Sequence, residues 1–337
     1  MQSALDANNI PAVSPNSIMS SSFSNNANIV GSAWMVSSAI LTTYSTTAFL
    51  KYSPIQSSSA KKDDELPITN RIAKSPVIDR PTMLTLYRFS GSLLLGLLSP
   101  PQHILTRITD LITLVPSFLL PATFLFMANY SNSIALDRIG ISLTYTSKCG
   151  IPLVTLLFSI LLDGKAAIPS PMTLLSLCPI VFGIGAASWN SPQFEPFGFA
   201  AAIISCASQS ALTVSSKRVI KNLNVGGLDA QRAMVAVALL YAVGVILGRN
   251  VVGDGGDKGG VAPSSSSPPW WLGVMAVLSY HLEYALSFIF VTLVEPITFG
   301  TCDAIRRLMI IVSGQKMFGG AKFTALNLVG MAFALAG

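Results

Sequence analysis

Charge is scarce in this chain. Lys, Arg, Asp and Glu make up 11% of its 337 residues, against roughly a quarter in soluble domains. With 51% hydrophobic residues and a mean hydropathy of +0.60, too little polar surface remains to cover a water-soluble globule. An ordinary soluble domain is excluded, and a membrane protein with many spans is predicted. Histidine is scarcer still. His103 and His281 stand alone, with no Ser-His-Asp arrangement or metal-ligand cluster around either, so neither a metal site nor a cofactor is expected. The four cysteines, Cys149, Cys178, Cys206 and Cys302, lie singly in apolar segments and lack disulfide or metal-ligand spacing, which leaves packing as their role. The formal charge of +6 comes without any nucleic-acid motif. Its basic residues sit mostly in short loops and at span ends, where membrane topology places them. Nucleic acid is not an expected partner; the lipid bilayer is.

Long apolar runs fill the rest. Residues 1–28 are Ser/Asn-rich, with one acid and no Lys or Arg. They predict a disordered tail and lack the basic start of a secretory signal or the arginines of a transit peptide. Apolar segments follow at about 29–50, 82–99, 111–130, 139–162, 172–189, 197–216, 233–248, 270–293, 297–318 and 323–337. Each is near the roughly 20 residues that a helix needs to cross the hydrocarbon. Unbroken apolar runs argue for helices over barrel strands, which would alternate. A charged insert at 51–81 and a flexible Gly/Ser-rich one at 250–269 punctuate the spans. The "GDGGDKGG" run in the second lacks the Gly-Lys-Ser/Thr ending of a phosphate loop. The last span stops at Gly337 in mid-pattern, as a truncated end would. The six Lys/Arg of 51–81 compete with Lys217, Arg218, Lys221 and Arg232 on the opposite side, so the charge rule leaves orientation open.

The chain also repeats itself. "SLTYTSKCGIPLVTLLFSILLDGKAA" and "ITFGTCDAIRRLMIIVSGQKMFGGAK" each run from a polar stretch through a basic residue and an apolar run to a Gly-containing turn. Aligning the turns, at an offset of roughly 155 residues, brings Lys148 close to Arg306 and Arg307 in register. The fold class is therefore an all-α membrane protein of ten transmembrane helices built as two inverted five-helix repeats, 29–190 and 196–337. Five spans per repeat is an odd number, so the halves lie in opposite orientations and helices four and nine cross near the midplane, where inverted-repeat transporters hold substrate. A basic side chain at the centre of a span costs on the order of 3 kcal/mol. Keeping Lys148, Arg306 and Arg307 there calls for a use, and binding an anion is the plainest one. Arg88, a turn or two inside span two, is expected to snorkel to the interface.

"SLTYTSKCGIPLVTLLFSILL" and "EPITFGTCDAIRRLMIIVSG" together resemble the sugar-phosphate/nucleotide-sugar translocator (triose-phosphate transporter) family of the drug/metabolite transporter superfamily, over 29–337. The family's fourth helix carries Val-Ser-Phe-Thr-His-x-x-Lys, whose lysine falls on Lys148. Its ninth carries Pro-x-Thr followed by Lys-Arg-x-x-x-x-Val, matched by Pro296, Thr298, Arg306, Arg307 and Val312. The resemblance implies exchange of organophosphates, with those three basic positions clasping the phosphate. Departures fall where the remainder of the substrate is read. Asn129 stands for a histidine, Glu283 for a tyrosine, Asp303 for an asparagine and Tyr145 for the fourth-helix histidine. The substrate-binding set is thus Lys148, Arg306, Arg307, Thr144, Tyr145, Asn129, Glu283 and Asp303. Asp303, three and four residues before the arginines, can reach either, and with Glu283 it makes the empty cavity nearly neutral. Such a site could relax without substrate or take a proton at Glu283.

The expected activity is secondary antiport of phosphate-bearing sugars or nucleotide sugars by alternating access, without covalent turnover. The alternatives are a degenerate transporter-like receptor or scaffold without flux, and a membrane-embedded sugar or lipid transferase. A homodimer is left open. The unstructured, arginine-free start favours the Golgi or endoplasmic reticulum over the plastid envelope.

Overall fold

The computed structural model describes residues 15–52, 79–98, 104–163, 194–252, 268–294 and 296–318, with isolated positions at 171, 175, 178, 179, 182 and 329. The first 14 residues, the interiors of both inserts, and most of spans five and ten lie outside the described residues. Among the described residues every regular element is helical. They are α1 (Pro15–Ser37), α2 (Thr43–Leu50), α3 (Arg80–Leu98), α4 (Ile104–Leu114), α5 (Leu119–Lys148), α6 (Ile151–Asp163), α7 (Pro196–Leu223), α8 (Gly227–Val252), α9 (Trp270–Leu293) and α10 (Pro296–Phe318). Among the described residues, four stretches are long and apolar enough to cross a bilayer: Ile108–Lys148, Pro196–Leu223, Gly227–Gly248 and Trp270–Leu293.

Three local features shape the site. The first is a π-helical turn, Ser38–Thr42, between α1 and α2. There the Thr43 N–H reaches back to the Ser38 carbonyl, and the Thr43 hydroxyl donates to the same oxygen at 3.0 Å. Ser38 is buried within this turn. Such bulges occur often at functional sites.

The second is Gly140. The 41 residues of Ile108–Lys148 would reach about 60 Å as one straight helix, twice the hydrocarbon thickness. Gly140, at φ 74° and ψ 179°, divides them, because that backbone conformation is open essentially only to glycine. Leu136 before the break, and Ile141 and Tyr145 after it, pack on one cluster with Phe49, Leu84 and Leu272. The third feature is an interruption after Lys148. Cys149 and Gly150 close tight turns onto Thr146 and Ser147, and α6 restarts at Ile151 with Pro152 in its first turn, where a missing N–H is harmless. The fourth span, expected to be continuous over 139–162, is therefore two helices meeting beside Lys148. Residues 15–28, expected in a disordered tail, are helical, with Pro15 at the helix start.

Close packing comes from small residues and aromatics. Ala201 and Ala202 of α7 lie against Ala135, Ile139 and Leu143 of α5, and Gly227 approaches the Phe288 carbonyl so closely that a Cβ there would sit 2.6 Å from its oxygen. Small side chains that let helix backbones meet are the usual device of membrane bundles. The larger cluster joins Phe89, Phe118, Leu125, Phe126, Met234 and Tyr280. Several interior hydroxyls are satisfied within their own helices, as with Ser133 to Asn129 and Ser147 to Leu143, and others across helices, as with Ser45 to Ser279 and Ser205 to the Ala128 carbonyl, whereas the Thr146 and Tyr280 hydroxyls have no partner among the described residues.

Candidate functional site

The spacing Asp303–x–x–Arg306–Arg307 on α10 places one carboxylate a turn before both guanidinium groups. Oδ1 of Asp303 accepts from Arg306 Nε at 2.9 Å and Nη2 at 2.7 Å, while Oδ2 accepts from Arg307 Nη2. The remaining terminal nitrogen of Arg306 crosses to other helices. Nη1 donates to Glu283 Oε1 of α9 at 2.6 Å and to Ser38 Oγ at 2.7 Å, and Ser38 Oγ in turn donates to the same Glu283 oxygen at 2.9 Å. The Arg306 guanidinium carbon lies 4.9 Å from the centre of the Trp34 ring, which stacks on Phe299. Two acids thus hold two arginines in a network that ties α1, α9 and α10 together. Arg307 is 2% exposed, and its Nε has no acceptor among the described residues.

Lys148 ends α5 beside this network and is buried. No carboxylate pairs with it among the described residues. Its Nζ lies 5.5 Å from the Tyr145 ring centre, and its strongest electrostatic neighbours are Arg307 and Arg306, followed by Cys206 and Asp303. Lys148 adds a third positive charge to a network whose two carboxylates, Glu283 and Asp303, are already paired with the arginines, and a buried cation without its own counter-charge is disfavoured in a low-dielectric interior.

The other expected residues divide. Tyr145 interacts electrostatically with Glu283, Arg306, Arg88 and Arg307, which puts it among the charged groups. Asn129 is held by Tyr284, its Nδ2 donating to Tyr284 Oη at 2.9 Å and its Oδ1 accepting at 3.2 Å. Thr144 returns its hydroxyl to the Gly140 carbonyl at 2.7 Å. Glu283, expected beside the cavity, is the cross-helix partner of Arg306.

Arg88 needs correcting. It does not snorkel: at 3% exposure it is interior, its Nη2 donating to Thr46 and its guanidinium carbon 5.5 Å from the Tyr280 ring centre. It lies eight residues beyond the start of α3, about 12 Å along the axis, a depth at which neighbouring helices enclose it. Ser38, Trp34 and Tyr284 are not among the residues expected from the sequence. Only the hydroxyl-rich run "SSAILTTYSTT" inside an apolar segment signals the first of them. The remaining histidine of note, His281, shares a 2.9 Å hydrogen bond with Ser92.

Comparison with known proteins adds the following. The family model of the Triose-phosphate Transporter family matches residues 68–337. Among curated proteins, the chain is 26% identical over 218 residues to phosphoenolpyruvate/phosphate translocator 2, chloroplastic, of Arabidopsis thaliana, covering 63% of this chain and 55% of that one. It is 25% identical over 207 residues to glucose-6-phosphate/phosphate translocator 2, chloroplastic, of the same plant, with shares of 61% and 52%. The xylulose 5-phosphate/phosphate translocator, chloroplastic, also of that plant, is 25% identical over 222 residues, with shares of 64% and 52%. The chain spans about half the length of the curated relatives it matches.

Proposed function

The chain belongs to the Triose-phosphate Transporter family, and from that premise we propose that it is a secondary transporter exchanging phosphate-bearing small molecules across a membrane. The observation that carries this is the buried Lys148, which has no carboxylate partner among the described residues and has Arg307 and Arg306 among its neighbouring charges. A phosphate dianion would bridge Lys148 to Arg307, whose Nε has no acceptor among the described residues, through charge-assisted hydrogen bonds.

The full architecture in this reading is ten spans in two inverted repeats, 29–190 and 196–337, with Lys148 from the first and the arginines from the second. The bridge would then join the two halves, and rocking of one half against the other would expose it to each side in turn. The relatives named above all pair a phosphorylated compound with phosphate. That common part supports phosphate as the obligatory group and leaves the organic portion, a sugar or a nucleotide sugar, to the rest of the cavity. Their chloroplast location supports a plastid envelope over the Golgi or endoplasmic reticulum membrane that the sequence favours. A receptor-like role without flux has one observation in its favour, namely that Glu283 and Asp303 already occupy both arginines.

Reconstituted in liposomes, the protein is expected to take up labelled inorganic phosphate about tenfold faster when the lumen holds phosphate or a phosphorylated sugar than when it is empty. Nucleotide sugars form the second arm of the same assay. Binding of phosphate with no flux under any loading would favour the receptor reading and overturn transport.

A further inference from the structure

The Arg306 network closes on itself without a ligand. Glu283 Oε1 accepts from Arg306 Nη1 at 2.6 Å, the same nitrogen donates to Ser38 Oγ at 2.7 Å, and Ser38 donates on to the same carboxylate oxygen at 2.9 Å. Groups from the π-helical turn after α1, from α9 and from α10 therefore meet in one hydrogen-bonded triangle. It is held from outside as well. Asp303 grips the other edge of the Arg306 guanidinium, and the Trp34 ring lies 4.9 Å from its carbon. Trp34 packs in turn on Phe290 and Phe299, at 5.6 and 5.0 Å between ring centres, so rings from α1, α9 and α10 cover the ion pair.

In the two-repeat reading Ser38 lies in the first half, and Glu283 and Arg306 lie in the second. An anionic oxygen of the protein thus already joins a hydroxyl of one half to a guanidinium of the other, as a substrate oxygen would. A carrier whose basic groups had no internal acid would bury bare cations whenever it closed empty. That state is costly, and only the loaded form would cross over. Here two carboxylates offset two of the three positive charges of Lys148, Arg306 and Arg307.

We propose that Glu283 is a built-in stand-in for the substrate anion, which lets the empty carrier close and reorient, so that the protein moves phosphate compounds one way as well as in exchange. The proposal rests on the transport proposed above. Empty return is slower than loaded return because Lys148 keeps no carboxylate partner among the described residues. Exchange therefore runs ahead of net flux without abolishing it.

The test uses the purified full chain in liposomes with the membrane potential clamped. Uptake of labelled inorganic phosphate is compared between lumens that hold phosphate and lumens that do not, with protein-free liposomes as the baseline. The unaltered protein is expected to fill empty liposomes well above that baseline, at about a tenth of its exchange rate. Glu283→Gln keeps the shape and removes the charge, and it is expected to raise the ratio of exchange to net uptake by about tenfold or more, as loss of a charge-assisted pair implies. Ser38→Ala leaves the carboxylate but cuts its link to the first half. It is expected to raise the ratio by less, and it carries the comparison should Glu283→Gln fail to fold. Empty-lumen uptake at the baseline beside normal exchange, or a ratio that neither substitution raises, would overturn the stand-in role. Absence of both exchange and net uptake in the unaltered protein would instead refute the transport reading, and this proposal with it.

Discussion

Replacing Lys148 with Met is expected to lower phosphate affinity by about 10- to 100-fold and, in the same protein, to raise the midpoint of thermal unfolding. Affinity falls because a hydrogen bond from a charged donor contributes about 1.5–3 kcal/mol. Stability rises because the substitution removes a buried cation that has no carboxylate partner among the described residues, and such a charge is costly in an apolar interior. Methionine fills similar volume and adapts to its surroundings, so no large cavity offsets the gain. Insertion scales put a central lysine near 3 kcal/mol, and a gain of about 1–2 kcal/mol is a reasonable share of it. A residue retained for packing would show the opposite sign in stability. Phosphate-binding and unfolding measurements on one detergent-purified preparation decide between the two, and a destabilised variant with unchanged affinity would rule out the role assigned to Lys148.

Asp303→Asn should have the converse signature. The carboxylate is shared by both arginines, and breaking a buried ion pair from one side costs about 3–5 kcal/mol, since a charge is left without compensation. Arg306 would keep Glu283, whereas Arg307 would keep no acid among the described residues. The unfolding midpoint therefore falls sharply in the absence of ligand. Phosphate then restores more stability to this variant than to the unaltered protein, because no carboxylate competes for the arginines and ligand stabilisation grows with affinity. An equal or smaller phosphate shift in Asp303→Asn would show that the arginines do not face the anion.

The charges that matter most are visible in the sequence because apolar runs make them conspicuous. Lys148 and the Arg306–Arg307 pair interrupt segments in which leucine would be less costly, and a helix of 3.6 residues per turn makes the reach of Asp303 to both arginines a matter of counting. What counting cannot supply is the contact between helices. Glu283 pairs with Arg306 across α9 and α10, and Ser38 joins them through a π-helical turn whose extra residue leaves no mark in composition. Arg88 is misread for the same reason. Whether a long basic side chain snorkels depends on what encloses it, and enclosure is a property of the bundle. The break after Lys148 had a signal in "CGIP", where Gly and Pro punctuate an apolar run, but hydropathy averages across it. The helix at 15–28 shows the reverse limit, since a Ser/Asn-rich segment with little hydrophobicity can still extend a helix once Pro15 sets its start.

The central claim is that one phosphate touches side chains from both halves of the chain. A solid-state NMR distance measurement between the phosphorus of bound inorganic phosphate and nitrogen-15 labels in lysine and arginine side chains tests it most directly, with Lys148→Met and Arg307→Met assigning the signals. Phosphorus within about 4 Å of nitrogens from both Lys148 and Arg307, as charge-assisted hydrogen bonds require, is the predicted result. Contact with only one of the two, or with neither, would contradict it.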